Sequence, residues 1–310
     1  MKLLIATQAL DRDHPVLGFF HRWVEEFAKH AESVTVIASF VGDYDLPPNV
    51  TVHSLGKPSY TKASEGAGSR LMRAVRFIAL ICHLQRDYDA VFVHMIPEFV
   101  IAGAVPWRLM DKRVGLWYVH GTVSWRLKLA AFFSDFIVTA SPESCRIKSK
   151  KVHVLGHGID TNFFTPDPSI PRTDALLSVG RLDASKRHDL AIHAAADMCR
   201  ALRIAGEGPE RGNLEKLAKD LGTSVTFLGG LAQPELRDEY RRASALIHTS
   251  ETGSLDKVVL EALATDTPVK TSSAVYKDFP MGAGGRVSFI REHHSLEKLI
   301  PRVLSLYVRD

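Results

Sequence analysis

Ser250-Glu251-Thr252-Gly253-Ser254-Leu255-Asp256-Lys257-Val258-Val259-Leu260-Glu261 is the stretch on which the fold turns. An apolar run at 245–248 precedes it, small residues fill its first half, and an apolar helical pattern follows. That is strand, turn, helix, the unit from which parallel sheets are built. The helix is expected over 255–264, so Gly253 and Ser254 should present free N–H groups at its start, an anion site in its own right. Lys257 and Glu261 lie four apart and share a helix face. A carboxylate among Val258, Val259, Leu260, Ala262 and Leu263 needs partners, and two adjacent ribose hydroxyls could donate to it together.

The same alternation runs outward in both directions. Strands are predicted at 175–179, 201–205, 225–228, 245–248 and 268–271, with helices at 187–199, 209–221, 234–242 and 295–308. Toward the N-terminus they are predicted at 2–7, 34–39, 51–54, 90–94, 114–119, 136–139 and 152–155, with helices at 17–29, 69–85, 98–110 and 124–133. Residues 156–174 break the rhythm with Gly156, Gly158, Pro166, Pro168 and Pro171 and read as a connection. The expected architecture is α/β, with two Rossmann-like parallel-sheet domains, 1–165 and 166–310, facing a cleft. Ligands of such sheets sit outside the carboxyl ends of the strands.

Two further loops gather charge. Gly180-Arg181-Leu182 follows a strand, and Lys186 stands where the next helix begins. A guanidinium fork, an ammonium and a helix end together suit a diphosphate, although two solvated surface cations would have the same spacing. Gly206, Gly208 and Gly212 imitate a dinucleotide fingerprint, but they follow the second strand of their domain rather than the first, which argues against an NAD-dependent oxidoreductase.

Composition bounds the rest. The chain has 310 residues, 45% of them hydrophobic, and a net charge of +4. That balance fits an anionic ligand or a membrane surface without calling for nucleic acid. Cys82, Cys145 and Cys199 form no CxxC pair and read as buried free thiols of a reducing, cytoplasmic compartment. Asp11-Arg12-Asp13, Asp43-Tyr44-Asp45 and Asp87-Tyr88-Asp89 read as solvated loops rather than metal ligands, and no metal or cofactor is expected. Arg70, Arg73 and Arg76 lie on a helix with Leu71, Met72, Val75 and Ile78. That helix is either core-packed with a basic edge or a peripheral contact with anionic lipid.

The motifs, in order and spacing, resemble glycosyltransferase family 4, the glycosyl transferases group 1 of the GT-B fold. The resemblance runs through 156–164, Gly180-Arg181-Leu182 with Lys186, Gly206-Glu207-Gly208-Pro209-Glu210-Arg211, Phe227-Leu228-Gly229, and Leu260-Glu261-Ala262-Leu263-Ala264 before Thr267-Pro268. It implies a retaining, metal-independent enzyme that moves a hexose-type sugar from a nucleotide diphosphate donor to a lipid-linked or polysaccharide-type acceptor. By the same resemblance, Arg181 and Lys186 bind the diphosphate beside Gly180, and Glu261 holds the ribose. Main chain at Leu228 and Gly229 borders the base, and Ser254 and Leu255 lie against phosphate or sugar. His120 faces the donor sugar and Gly18 approaches the phosphates. The sequence departs from the family where Gly253 stands in place of a usual Glu and where the C-terminal domain is shortened, with about one helix after Gly285. A binding module without turnover, or a nucleotide-sugar epimerase or phosphorylase on the same scaffold, are the competing readings.

Overall fold

The structure is a computed structural model that describes residues 1–14, 16–56, 67–282 and 284–308, apart from the side chains of residues 67, 69 and 70. It divides into two compact units, Met1–Gly156 with Leu299–Asp310, and His157–Lys298.

The first unit is a seven-stranded sheet in the order β3-β2-β1-β4-β5-β6-β7. Its strands are β1 Lys2–Leu10, β2 Ser33–Val41, β3 Val50–Ser54, β4 Ala90–His94, β5 Arg113–Trp117, β6 Phe136–Thr139 and β7 Val152–Val154. Every pairing is parallel. Parallel strands require crossovers, which α1 Phe19–His30, α2 Ala67–His83, α3 Pro97–Leu109 and α4 Trp125–Phe133 supply. One sheet face packs Leu4, Val91, Val93 and Leu116 against Phe77 and Ile81 of α2, Trp107 of α3 and Leu127 of α4. The other meets α1, where Trp23 contacts Trp117 with ring centroids 4.8 Å apart and Phe27 contacts Phe92 at 4.9 Å. Each such side chain, fully buried, stabilises by about 1.5–3 kcal/mol.

The second unit is a five-stranded parallel sheet, β10-β9-β8-β11-β12. Here β8 is Leu176–Val179, β9 Leu202–Ala205, β10 Val225–Gly229, β11 Ala245–His248 and β12 Val269–Thr271. The helices are α5 His188–Asp197, α6 Arg211–Asp220, α7 Gln233–Arg242, α8 Lys257–Ala264, α9 Arg286–His293 and α10 Leu296–Ser305, the last reaching from the second unit into the closing segment of the first. In both sheets the order reverses once, between β1 and β4 and between β8 and β11. These are the switch points at which doubly wound sheets open a crevice.

Several expectations need correction. The boundary between units lies at Gly156 rather than Thr165. Ile159 explains it: its N–H donates to His294 O and its carbonyl accepts from Leu296 N–H, both at 2.8 Å, tying the start of the connection to the second unit. Two helices follow Gly285, not one, and Leu299–Asp310 returns to the first unit. There Tyr307 donates to Val91 O and stacks edge-on against Phe136 at 4.8 Å, in space that Gly115 leaves open. Cys145 is buried as expected, but Cys82 and Cys199 are exposed, because each faces away from its unit's core; all three are free thiols. Helix α2 packs on the core along Phe77, Leu80 and Ile81; Leu71, Met72, Val75 and Ile78 face outward. In the Asp87-Tyr88-Asp89 match, Tyr88 is buried, with its hydroxyl donating to Ile81 O at 2.8 Å.

Candidate functional site

The second switch point is assembled from the loops after β8 and β11. They are stitched together through main chain: Thr249 Oγ1 donates to Lys186 O at 3.0 Å and to Arg187 O at 2.8 Å, and Glu251 N–H donates to Ser185 O at 3.2 Å. The loop after β9 closes from beside. Gly206 adopts φ +147°, and a Cβ there would stand 1.8 Å from Gly180 O, so only glycine lets these loops meet.

Lys186 points into this junction. Its ammonium donates to Asp256 Oδ2 at 2.8 Å and to Ser250 Oγ at 3.5 Å. The hydroxyls continue from Ser250 to Thr252 at 3.1 Å and from Thr252 to Ser254 at 3.2 Å, forming a polar line along the loop. Asp256 also meets His248 Nε2 at 3.0 Å. Burial would raise the Asp256 carboxyl, but His248 and Lys186 outweigh it and hold the group well below the usual carboxylate range. Arg181 is different: its side chain is 64% exposed and pairs with Asp183 at 3.0 Å. Burial again opposes, while Ser185 and Arg181 keep the Asp183 carboxyl below its ordinary value. Of the two cations read from the sequence, Lys186 is thus inward and Arg181 outward, each with its own carboxylate, while Arg187 pairs with Asp189 and Glu251.

The helix expected from Leu255 starts later. Asp256 is its N-cap and Lys257 its first residue, so Gly253 and Ser254 precede the helix and do not supply its free N–H groups. Leu255 is buried and offers main chain only. Glu261 lies inside α8, its side chain 3% exposed, where Oε2 accepts from Tyr240 Oη at 3.1 Å and Oε1 pairs with Lys257 Nζ at 3.2 Å. Burial first, and Glu261 second, push the Tyr240 hydroxyl far above its usual pKa, so it stays a donor. The partners that a buried carboxylate demands are therefore internal. A carboxylate offers about four acceptor positions, so capacity remains for a ribose. Leu228 and Gly229 end β10, with Gly229 at φ +74° and its carbonyl accepting from Gly206 N–H at 2.7 Å.

In the first unit, His120 is exposed and accepts the Thr122 N–H at 3.1 Å, so it is not a core histidine. Gly18 caps α1 in helical geometry; a Cβ there would lie 2.6 Å from Arg12 O, and the residue lines a concavity of about 140 Å³ with Arg12, His21, Arg22, Glu25 and Asp45. Sequence reasoning did not anticipate the joining of His248, Tyr276 and Asp256 to Lys186. The residues are scattered from 186 to 276, and only the sheet order brings them together.

Residues 163–276 match the family model of the glycosyl transferases group 1. The chain carries a group 1 glycosyltransferase domain. Its similarities agree. It is 37% identical over 145 residues to a D-inositol 3-phosphate glycosyltransferase of Frankia alni, covering 38% of this chain and 35% of that protein. It is 25% identical over 226 residues to the sulfoquinovosyl transferase SQD2 of Arabidopsis thaliana, covering 68% of this chain and 43% of that one. The matched region thus spans less than half of these curated relatives. Among solved structures, Anabaena Alr3699/HepE in complex with UDP and glucose is similar over 98% of both chains, with a TM-score of 0.73 at 14% identity. WaaG, a glycosyltransferase involved in lipopolysaccharide biosynthesis, is similar over 99% of this chain and 90% of that one, with a TM-score of 0.63 at 16% identity. These structural similarities show the GT-B fold, built of two Rossmann-like units.

Proposed function

We propose that this protein transfers a hexose-type sugar from a nucleotide diphosphate donor to a lipid-linked or polysaccharide-type acceptor, with retention of anomeric configuration and without a metal or other cofactor. The observation that carries the reading is Lys186, held inward at the β8/β11 switch point by Asp256 in a group 1 glycosyltransferase domain. Breaking a glycosyl–phosphate bond leaves charge on the departing diphosphate, and a fixed ammonium stabilises it where it develops. Arg181 adds a second cation from the same loop, with the main chain at Gly180 beside it. Ser254 and the main chain of Leu255 lie along the phosphates or sugar, Glu261 takes the ribose, and Leu228 and Gly229 border the base. His120 and Gly18 take their family roles toward the donor sugar and phosphates. The leaving phosphate itself can accept the acceptor's proton, so no separate strong base is needed.

The test is a thermal-shift screen of nucleotide sugars followed by product analysis. A donor that raises the melting temperature, transfer that persists in a chelator and an α-linked product from an α-linked donor are expected. Loss of transfer in chelator, or inverted product, would refute the corresponding part. Binding without turnover is the second reading, favoured by Gly253, which has no side chain to offer the sugar. An epimerase or phosphorylase would form product without acceptor or only with free phosphate.

We place the protein in the cytoplasm, where three free thiols persist, and in peripheral contact with anionic membrane. Among the described residues no helix is long and apolar enough to cross one. Yet α2, α3 and α4 cover one sheet face and turn Leu71, Met72, Val75, Leu109, Trp125 and Phe132 outward, each more than half exposed. The sequences of α2 and α4 contain Arg70, Arg73, Arg76, Arg126 and Lys128 and no acid, and Glu98 of α3 pairs with Arg126 at 3.5 Å. Apolar side chains among cations match an anionic interface. Co-sedimentation with phosphatidylglycerol vesicles but not phosphatidylcholine, lost in Phe132→Glu, is expected. A dimer that the same substitution dissolves, without vesicle binding, would overturn it.

A further inference from the structure

Asp256 stands where a negative charge is least welcome, beside the site read as taking an anion. Aspartate commonly caps its own helix by accepting from N2 or N3, but Asp256, the N-cap of α8, makes no side-chain cap bond. Its carboxylate turns to the neighbouring loop instead. Oδ2 takes Lys186 Nζ at 2.8 Å and His248 Nε2 at 3.0 Å. His248 is anchored behind by Thr271 Oγ1, 3.1 Å from Nδ1. The Asp256 main chain is fixed too, its N–H donating to Tyr276 Oη at 2.6 Å. Side-chain exposure is 14% for Asp256 and 19% for Lys186, so this pair is shielded from most solvent screening.

Lysine needs such a holder. Its ammonium sits on a flexible four-carbon stem and, unlike a guanidinium, brings no rigid geometry to a phosphate. It has three donors. Asp256 takes one and Ser250 lies at 3.5 Å, which leaves donor capacity for a ligand.

We infer that Asp256 is a positioning residue: it fixes the Lys186 ammonium for the phosphates of a nucleoside diphosphate, with His248 and Thr271 bracing the carboxylate from β11 and β12. The inference rests on the phosphate role proposed for Lys186. It assigns the ion pair a task in ligand recognition beyond joining two loops.

The experiment compares affinities for a nucleoside diphosphate and its monophosphate, the pair being chosen by thermal-shift screening of UDP, GDP, ADP, CDP and dTDP. The native chain should prefer the diphosphate, and Lys186→Ala should erase that preference. Asp256→Asn should weaken diphosphate binding about tenfold, as expected for a disordered charge-assisted bond, and leave monophosphate binding unchanged. Adding Asp256→Asn to Lys186→Ala should change neither affinity further. A purely structural ion pair would lower the melting temperature and leave the diphosphate-to-monophosphate ratio intact. Should Asp256→Asn not fold, His248→Gln removes one brace only and should lower the same ratio about threefold. Retention of the ratio in the Asp256 or His248 variants, while Lys186→Ala loses it, would overturn this inference alone. Retention in Lys186→Ala would overturn the phosphate site and this inference with it.

Discussion

The two sheets reverse strand order in the same way, yet their switch points are filled by opposite chemistry. Between β8 and β11 the loops carry Lys186, Asp256, His248 and a line of hydroxyls. Between β1 and β4 the corresponding ground is aromatic: Phe20 stacks on His94 with centroids 3.9 Å apart, Phe19 and Trp23 stand edgewise or tilted near the same ring, and Thr7 Oγ1 meets His94 Nδ1 at 3.2 Å. His94 is 1% exposed. Topology therefore provides a crevice twice, and the side chains decide its use. One is filled beneath its loop by rings that serve the core; the other is lined by paired, partly buried charges.

That contrast can be broken by substitution. The largest effect is expected at the packed switch point. Phe20→Ala should cost about 3–5 kcal/mol in urea unfolding, and the remaining folded protein should bind nucleotide as before. Impaired nucleotide binding in that folded fraction would end the comparison. At the polar switch point Lys186→Ala should cut turnover about 10²- to 10³-fold, the range for losing one preorganised charge partner of a transition state; Arg181→Ala, in the same assay, should act in the same direction. Full activity in both variants would remove the charge from the mechanism.

Acid should separate the units next. Burial near Phe279 and Phe289, and more weakly the charge of His293, push the His294 imidazole down to about 4. The folded state then keeps it neutral while the unfolded chain, titrating near the ordinary value of about 6.5, binds the proton first. Stability is complete above that value and falls as pH drops toward 4, by about 2 kcal/mol between pH 7 and pH 5. Hydrogen exchange should show the second unit loosening before the first, and His294→Asn should flatten the dependence. An unchanged slope would mean that another group governs it. The smallest effect is Glu261→Gln, expected to weaken nucleoside binding about tenfold by calorimetry, a loss of about 1.4 kcal/mol.

Much of this architecture can be read in the sequence, for a local reason. The strands Ala90–His94, Phe136–Thr139 and Ala245–His248 match expectation residue for residue, since each is a short apolar run between polar ends. Failures arise where distant contacts override local pattern. Leu255 and Asp256 look helical beside Val258–Leu260, yet Asp256 stays extended with its carboxylate drawn toward Lys186, 70 residues earlier. Helix α9 has the sequence RVSFIREH, too polar and short to show a periodic apolar stripe. The sequence shows that Glu261 needs partners, but Tyr240 becomes one only because α7 packs on α8. In the site, single residues were legible; the links among Lys186, Asp256 and His248 were not, because they follow from strand order.

The return of Leu299–Asp310 to the first unit bears on biogenesis. A ribosome delivers the N-terminal sheet early, but the ring of Tyr307 that fills the space over Gly115, and whose hydroxyl reaches Val91, emerges only after the whole second sheet has been made. The first unit is thus finished after the second, and a nascent chain stalled short of residue 299 would carry a completed second unit beside a first unit still missing its final brace.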